Sequence, residues 1–329
     1  MKRTFLFFLL IPVIFISCEQ TFVPGDPLPS WNDGDTKQSI INYVEKVSDK
    51  NSDSYIEPVD RIATFDNDGT LWTEQPTYFQ FYFVVDRLRK LAEMNPDIAN
   101  DTLVRALLDQ GHEAIFTFSG EGITRVIVMA STGMNTDEYA DIVEEWISTT
   151  KHPETGMYFT DMIYQPMLEL LQYLRDNEFK TFIVSGGGIE FMRPWTMETY
   201  GIPTHQVIGS TMAIEWEMTD DGPVLNRMPE MSFFNDKTNK PIAINRCIGK
   251  KPVFAAGNSD GDLAMLQWSY SNALPSFQLY VHHTDAEREW AYDRDSHIGR
   301  LDKGLDVAAE NGWTVVDMKS DWKVIWPEE

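Results

Sequence analysis

Three scarcities shape what this chain of 329 residues can be. Cysteine is nearly absent, with Cys18 and Cys247 the two in the whole sequence, so no disulfide framework can carry the fold. Basic residues are few: 27 Lys and Arg stand against 51 Asp and Glu, a formal net charge of −24 that repels a phosphate backbone and excludes nucleic acid as an expected partner. Long apolar runs are missing after the first residues, which excludes a chain threaded through a bilayer and disfavours a transport ATPase. What is present is ordinary globular material. Hydrophobic residues make up 43%, enough to bury one large or two modest domains, and no repeat or low-complexity segment interrupts them.

The N-terminus is a separate matter. Lys2 and Arg3 precede an apolar run over residues 5–16, short for a membrane span and typical of a signal-peptide core. Phe15-Ile16-Ser17-Cys18 follows and resembles the lipobox of bacterial lipoproteins. That resemblance implies acylation of Cys18, which becomes the first mature residue, and a lipid anchor in a bacterial cell envelope, periplasmic or surface-facing. Residues 1–18 are accordingly set apart as a lipoprotein signal peptide. Cys247 is then the one remaining thiol, and stability must come from packing. Residues 19–35, rich in Pro, Gly, Asp and Asn, read as a tether.

Folding is expected from residue 36, where Thr36 can cap a helix with Ile40, Ile41, Val44 and Val47 on one stripe. Residues 61–66 form a short apolar run ending in carboxylates, as a buried parallel strand ends at the rim of a sheet. Between residues 72 and 161 the periodicity is helical, over 79–94, 101–108, 122–130 and 137–147. Strands and helices alternate again afterwards: a helix over 166–177, a strand over 180–184 and a helix over 191–200. A hairpin over 211–217 and 223–228 and strands near 252–256, 277–281 and 313–316 follow. The fold class is α/β, with a Rossmann-like parallel sheet core over 36–72 and 162–329 and an all-helical domain inserted at 73–161.

Chemistry concentrates where two strands end. Asp66-Asn67-Asp68-Gly69-Thr70 follows the first strand directly. A carboxylate there can attack phosphorus, and a second, two residues on, can protonate a leaving oxygen. Residues 253–262 place Asn258, Ser259, Asp260 and Asp262 after another buried run, a cluster of oxygen donors suited to Mg²⁺. Ser185-Gly186-Gly187 closes the strand over 180–184, where a hydroxyl and the following amides can hold phosphoryl oxygens.

These motifs, in this order, resemble the haloacid dehalogenase superfamily, in particular its phosphoserine-phosphatase-like branch with a helical C1 cap, over residues 61–268. The resemblance implies Asp66 as nucleophile, Asp68 as general acid and base, and Ser185 as a catalytic and phosphate-binding residue beside Thr70 and Gly186. It also implies a phosphate-neutralising lysine ahead of the fourth motif. Lys240, followed by Pro241 at a helix start, fits that place better than Lys237. Magnesium is implied on Asp66, on Asp68, and on Asn258 or Asp262. Many relatives carry aspartate where Asn258 stands, which leaves the direct ligand between those two.

The implied function is Mg²⁺-dependent hydrolysis of a small phosphorylated metabolite through an aspartyl-phosphate. A phosphotransferase on the same fold, or a catalytically silent surface binding lipoprotein, are the alternatives. A dehalogenase has no need of Asp68, since halide leaves without a proton. Trp72, Glu74, Tyr78, Phe79, Tyr82 and Phe83 can line the pocket or form helix core, and the aromatics among them would suit a choline-like cation. Glu74 stands near the place of a substrate-binding glutamate of phosphoserine phosphatases, one residue off register. His282 and His283, adjacent in a strand, must face opposite sides and cannot share a metal. Trp313, Trp322 and Trp326 read as packing anchors.

Overall fold

Ile62–Phe65 (β1) is buried at every position, as a strand flanked on both edges and covered on both faces must be. The computed structural model describes residues 25–327, so the signal-peptide reading, Cys18 and the start of the tether lie outside the described residues. Parallel partners flank β1, with Lys180–Gly188 (β2) on one side and, further along the chain, Phe254–Gly257 (β5) on the other. Val207–Thr219 (β3) joins β2 in parallel, and Gly222–Phe233 (β4) folds back on β3 as its antiparallel hairpin partner. Phe277–Thr284 (β6) extends the other side, carrying the short antiparallel Ala291–Tyr292 (β7) and the parallel Thr314–Asp317 (β8). The order is β4-β3-β2-β1-β5-β6-β7, with β8 also on β6, and the first and fourth motifs emerge from adjacent central strands.

Asp35–Ser48 (α1) packs Ile40, Val44 and Val47 into the core with no exposure. Its N-cap is Gly34, not Thr36. Between β1 and β2 lie Phe79–Met94 (α2), Pro96–Asn100 (α3), Thr102–Gln110 (α4), Gly120–Ser131 (α5) and Thr136–Thr149 (α6). Their apolar faces, including Phe83, Val104, Leu107, Val126 and Val143, are continuous with the main core. The chain enters and leaves this helical insertion side by side: Thr73 N donates to Met162 O at 3.0 Å and Tyr164 N to Leu71 O at 2.9 Å. Gln165–Asp176 (α7) then leads into β2.

The segment expected as a tether is folded from Leu28 onward. Leu28 and Trp31 are fully buried, and Trp31 meets Trp322 edge to face at 5.8 Å, an antiparallel bridge closing the N-terminal segment on the C-terminal one. Polar composition concealed two apolar anchors. The helix expected over 191–200 is two short pieces, Ile189–Met192 (α8) and Thr196–Tyr200 (α9), separated around Pro194, whose nitrogen cannot donate. The hairpin is longer than expected at both ends, and its arm is fastened to the insertion by Arg227, whose backbone N donates to Met134 O and whose Nε donates to Ser131 O at 2.7 Å. Asn239–Cys247 (α10), Leu263–Tyr270 (α11), Lys303–Asn311 (α12) and Met318–Asp321 (α13) complete the chain.

Candidate active site

Asp66 leaves β1 at the carboxyl end of the sheet, its amide held by Ala256 O at 3.0 Å, so the ends of β1 and β5 are locked in register beneath the loop. Gly69 makes the following turn at φ 68°, where a side chain would collide with Asn258 and Glu74. Asp68 is held from behind by the Trp72 indole, Nε1 donating to Oδ1 at 2.8 Å. Lys240, the second residue of α10 and 1% exposed, reaches under the loop: its Nζ donates to Asp262 Oδ1 at 2.5 Å and lies 2.9 Å from Asp66 Oδ1. Lys237 points to solvent, with its side chain 74% exposed.

The electrostatics are those of a site with too much negative charge. Burial pushes the Asp66 carboxyl well above the usual carboxylate range, Asp262 adds to this, and Lys240 opposes it. Asp68 is pushed up to about 6, chiefly by burial, while the Trp72 hydrogen bond and Lys240 pull the other way. Glu74 is also held well above its ordinary range, by burial and then by Asp68. Burial would lower the Lys240 ammonium, yet Asp262 and Asp66 together hold it above its ordinary value.

A cavity of about 290 Å³ opens above these groups. Asp66, Asp68, Glu74, Gly186, Gly187 and Lys240 form its polar end. Tyr78, Phe81, Ile123, Ile127 and Phe234 form an apolar wall drawn from both the insertion and the core. Of the aromatics considered from sequence, Tyr78 lines the cavity, whereas Trp72, Phe79, Tyr82 and Phe83 are buried in the core. Phe81 and Phe234 had no distinguishing signal.

Three expected site residues, Thr70, Asp262 and Ser185, are placed differently from their implied roles. Thr70 is fully buried beneath the loop, its hydroxyl donating to Asn258 Oδ1 at 3.2 Å, and does not reach the cavity as a phosphate ligand. Asp262 has both oxygens committed: Oδ1 to Lys240, and Oδ2 to the amides of Asn258 and Ser259 at 3.0 and 3.1 Å. It holds the lysine and shapes the turn; of the loop's other oxygen-bearing side chains, Asn258 is 1% exposed with its Oδ1 accepting from Thr70, and Ser259 lines the cavity. Asp260 faces away and accepts the amides of Asp302, Lys303 and Gly304 at the start of α12. Ser185 is fully buried within β2, its Oγ accepting from Gly187 N at 3.0 Å, so Gly186 and Gly187 present the surface there.

Sequence reasoning gave His283 no part in the site. It is 2% exposed, its Nε2 donates to Gly69 O at 2.7 Å, and its ring stacks on Tyr292 at 4.3 Å with Glu289 at Nδ1. His282, on the opposite face of β6, lies 3.6 Å from Asp293 nearer the surface. The adjacent pair does face opposite ways, but one of the two props the loop of Asp66 and Asp68.

Among the described residues no three His, Cys, Asp or Glu side chains are grouped as a metal cage. The donors that the resemblance implies for a cation are of mixed kind: the Asp66 carboxylate, the Asp68 carbonyl and the Asn258 amide. Asp66 Oδ1 is buried with the Lys240 ammonium 2.9 Å away, and the cavity is lined by four carboxylates, Asp66, Asp68, Glu74 and Asp236, against the one cation Lys240. Hard oxygen donors and uncompensated buried charge fit a divalent cation such as Mg²⁺.

No curated protein matches the sequence. Among solved structures, a conserved protein of unknown function from Anaerococcus prevotii DSM 20548 is similar in fold, with 15% identity and a TM-score of 0.55 over 88% of this chain and 94% of that one. A protein of unknown function from Bordetella pertussis Tohama I follows at 16% identity and TM-score 0.48, covering 78% of this chain and 98% of that one. A phosphoserine phosphohydrolase-like protein from Francisella tularensis subsp. tularensis SCHU S4 has 17% identity and TM-score 0.37, with 68% and 87% covered. The family described as haloacid dehalogenase-like hydrolase matches residues 63–267, from inside β1 through the fourth motif, and the chain belongs to it.

Proposed function

We propose that the chain is a Mg²⁺-dependent phosphomonoesterase working through an Asp66 aspartyl-phosphate. The observation that carries this reading is the placement of Asp66, Asp68 and Lys240 together at the polar end of one cavity. Asp66 supplies the carboxylate oxygen that bonds to phosphorus as the ester oxygen departs. Asp68, pushed up to about 6, is suited to carry the proton that the leaving alcohol takes. It then accepts a proton from the water that attacks phosphorus, releasing phosphate and restoring Asp66. Lys240 and the backbone at Gly186 offset phosphoryl charge. Asp66, the Asp68 carbonyl and Asn258 would hold the Mg²⁺, which when bound supplies further neutralisation of the phosphoryl oxygens.

The cavity also bears on the leaving group. Its lining holds Asp236 and Glu74 beside the catalytic pair, and Lys240 is its one cation, already shared between Asp66 and Asp262. A second anionic group on the substrate would meet carboxylates and an apolar wall. The reading is therefore a compact neutral or cationic alcohol with a hydrocarbon face, in place of a carboxylate-bearing one such as serine. Display in the bacterial envelope through lipid on Cys18 is part of the same proposal, checked by loss of membrane association in Cys18→Ser.

The test is phosphate release by the domain from residue 19 onward, with p-nitrophenyl phosphate, phosphocholine, phosphoserine, sugar phosphates and nucleotides, with and without Mg²⁺. Asp66→Asn is run beside it. Mg²⁺-dependent turnover lost in that variant supports the reading. A well-folded protein that turns over no ester, or one whose turnover survives Asp66→Asn, overturns it.

A further inference from the structure

Asn258 leaves the cation site short of one negative charge, and the structure contains a carboxylate positioned to make up the difference. Glu74 is 1% exposed and sits where the chain departs from the core toward the helical insertion. Its Oε1 accepts from Asn258 Nδ2 at 2.5 Å and from Tyr292 OH at 2.8 Å. No lysine, arginine or histidine forms an ion pair with it among the described residues. A buried carboxylate normally has a cationic partner, because desolvating an unpaired one is costly. This one instead lines the same cavity as Asp66 and Asp68.

The hydrogen bond has a directional consequence. An asparagine side chain presents either its oxygen or its NH₂ to a neighbour, and only the oxygen can bind a cation. A carboxylate on Nδ2 fixes that choice, leaving Oδ1, which accepts only from Thr70 Oγ1 at 3.2 Å, as the donor to a metal.

We propose that Glu74 replaces the carboxylate missing at position 258: it orients the Asn258 amide oxygen toward the cation and supplies the charge that Asn258 lacks. This rests on the Mg²⁺ of the function proposed above. Glu74 is thus a positioning residue.

The test measures Mg²⁺ binding by titration calorimetry and the Mg²⁺-induced rise in Tm, neither of which needs turnover. Glu74→Gln, which is isosteric, is expected to weaken Mg²⁺ binding about 10- to 100-fold. Asn258→Asp sets two carboxylates against each other, so its Tm without Mg²⁺ falls and its Mg²⁺-induced rise exceeds that of the wild type. The double variant Glu74→Gln/Asn258→Asp, with the charge moved back, recovers the metal-free Tm and binds Mg²⁺ within a few-fold of the wild type. Wild-type affinity in Glu74→Gln, or an unchanged metal-free Tm in Asn258→Asp, overturns the inference and leaves the phosphatase reading standing. A wild-type protein that binds no Mg²⁺ removes both the inference and the magnesium dependence beneath it.

Discussion

Lys240 Nζ and Asp262 Oδ1 meet at 2.5 Å with side-chain exposures of 2% and 0%, so neither charge has water to fall back on. Removing one partner strands the other. Lys240→Met is expected to cost about 3–5 kcal/mol of stability, the usual range for breaking a buried pair. It should also lower turnover about 10²- to 10³-fold through lost phosphoryl stabilisation. Lys240→Met/Asp262→Asn should regain part of the stability, since Asp66 is still left without its cation, and none of the activity. Lys237→Met, at an exposed position, should stay within about 0.5 kcal/mol of the wild type. Urea unfolding beside p-nitrophenyl phosphate kinetics separates these outcomes.

Asp68 is proposed to serve both halves of the reaction, protonating the alcohol and then deprotonating water. p-Nitrophenolate leaves readily without a proton, so Asp68→Asn should release it in a burst approaching one equivalent per enzyme and then stall. Alkyl monoesters should show no burst. Stopped-flow absorbance at millisecond resolution reads the amplitude, and equal slow rates for both esters without a burst would count against an accumulating aspartyl-phosphate.

His283 fixes the carbonyl of Gly69 at 2.7 Å from a strand outside the motifs. His283→Leu should lose that hydrogen bond and leave Glu289 with one fewer partner, lowering stability by about 1–3 kcal/mol. Because the loop carrying Asp68 shifts, kcat should fall about tenfold with KM little changed. His283→Gln, which can still donate, should recover part of kcat. Equal kcat in the leucine variant would show that the loop holds its shape unaided.

His152 is buried in the helical insertion against Tyr82, Phe79 and Phe159, and its pKa is pushed down to about 4 by burial and then by His112. In the unfolded chain the ordinary value of 6.5 applies. The neutral ring is therefore the form the fold favours. Stability is complete above pH 6.5 and is lost as pH falls through about 4. Allowing for solvent screening, the loss is on the order of 1–2 kcal/mol. Tm measured from pH 7.5 to 4.5 should decline less in His152→Gln than in the wild type.

What the sequence made legible was whatever local pattern controls. β1, β2 and β5 are short apolar runs bounded by turn residues, and the helix Phe79–Met94 carries its own periodicity, so each could be read without knowing its neighbours. Asp66, Asp68 and Lys240 were legible because strand ends and a helix start place them. The roles of Thr70 and Asp262 were not, since each depends on which way a carboxylate or hydroxyl turns once buried. Glu74 was noticed for its place after the first motif, but its bond to Asn258 spans 184 residues and has no local signature. Leu28 and Trp31 were hidden by polar neighbours, and the partners that cover Trp31, Trp322 and Pro166, are distant in the chain.

The clamp of His283 on Gly69 joins residues 214 apart in the chain. During synthesis, then, the loop after β1 leaves the ribosome long before the strand that steadies it. The sheet can pair β1 with β2 while the loop above them is still unpropped, and β6 supplies the prop only near the end of translation. Competence of the site is in this sense a late step of assembly, and a chain cut after residue 267, though it would contain every motif of its family, would lack the part that holds the first motif still.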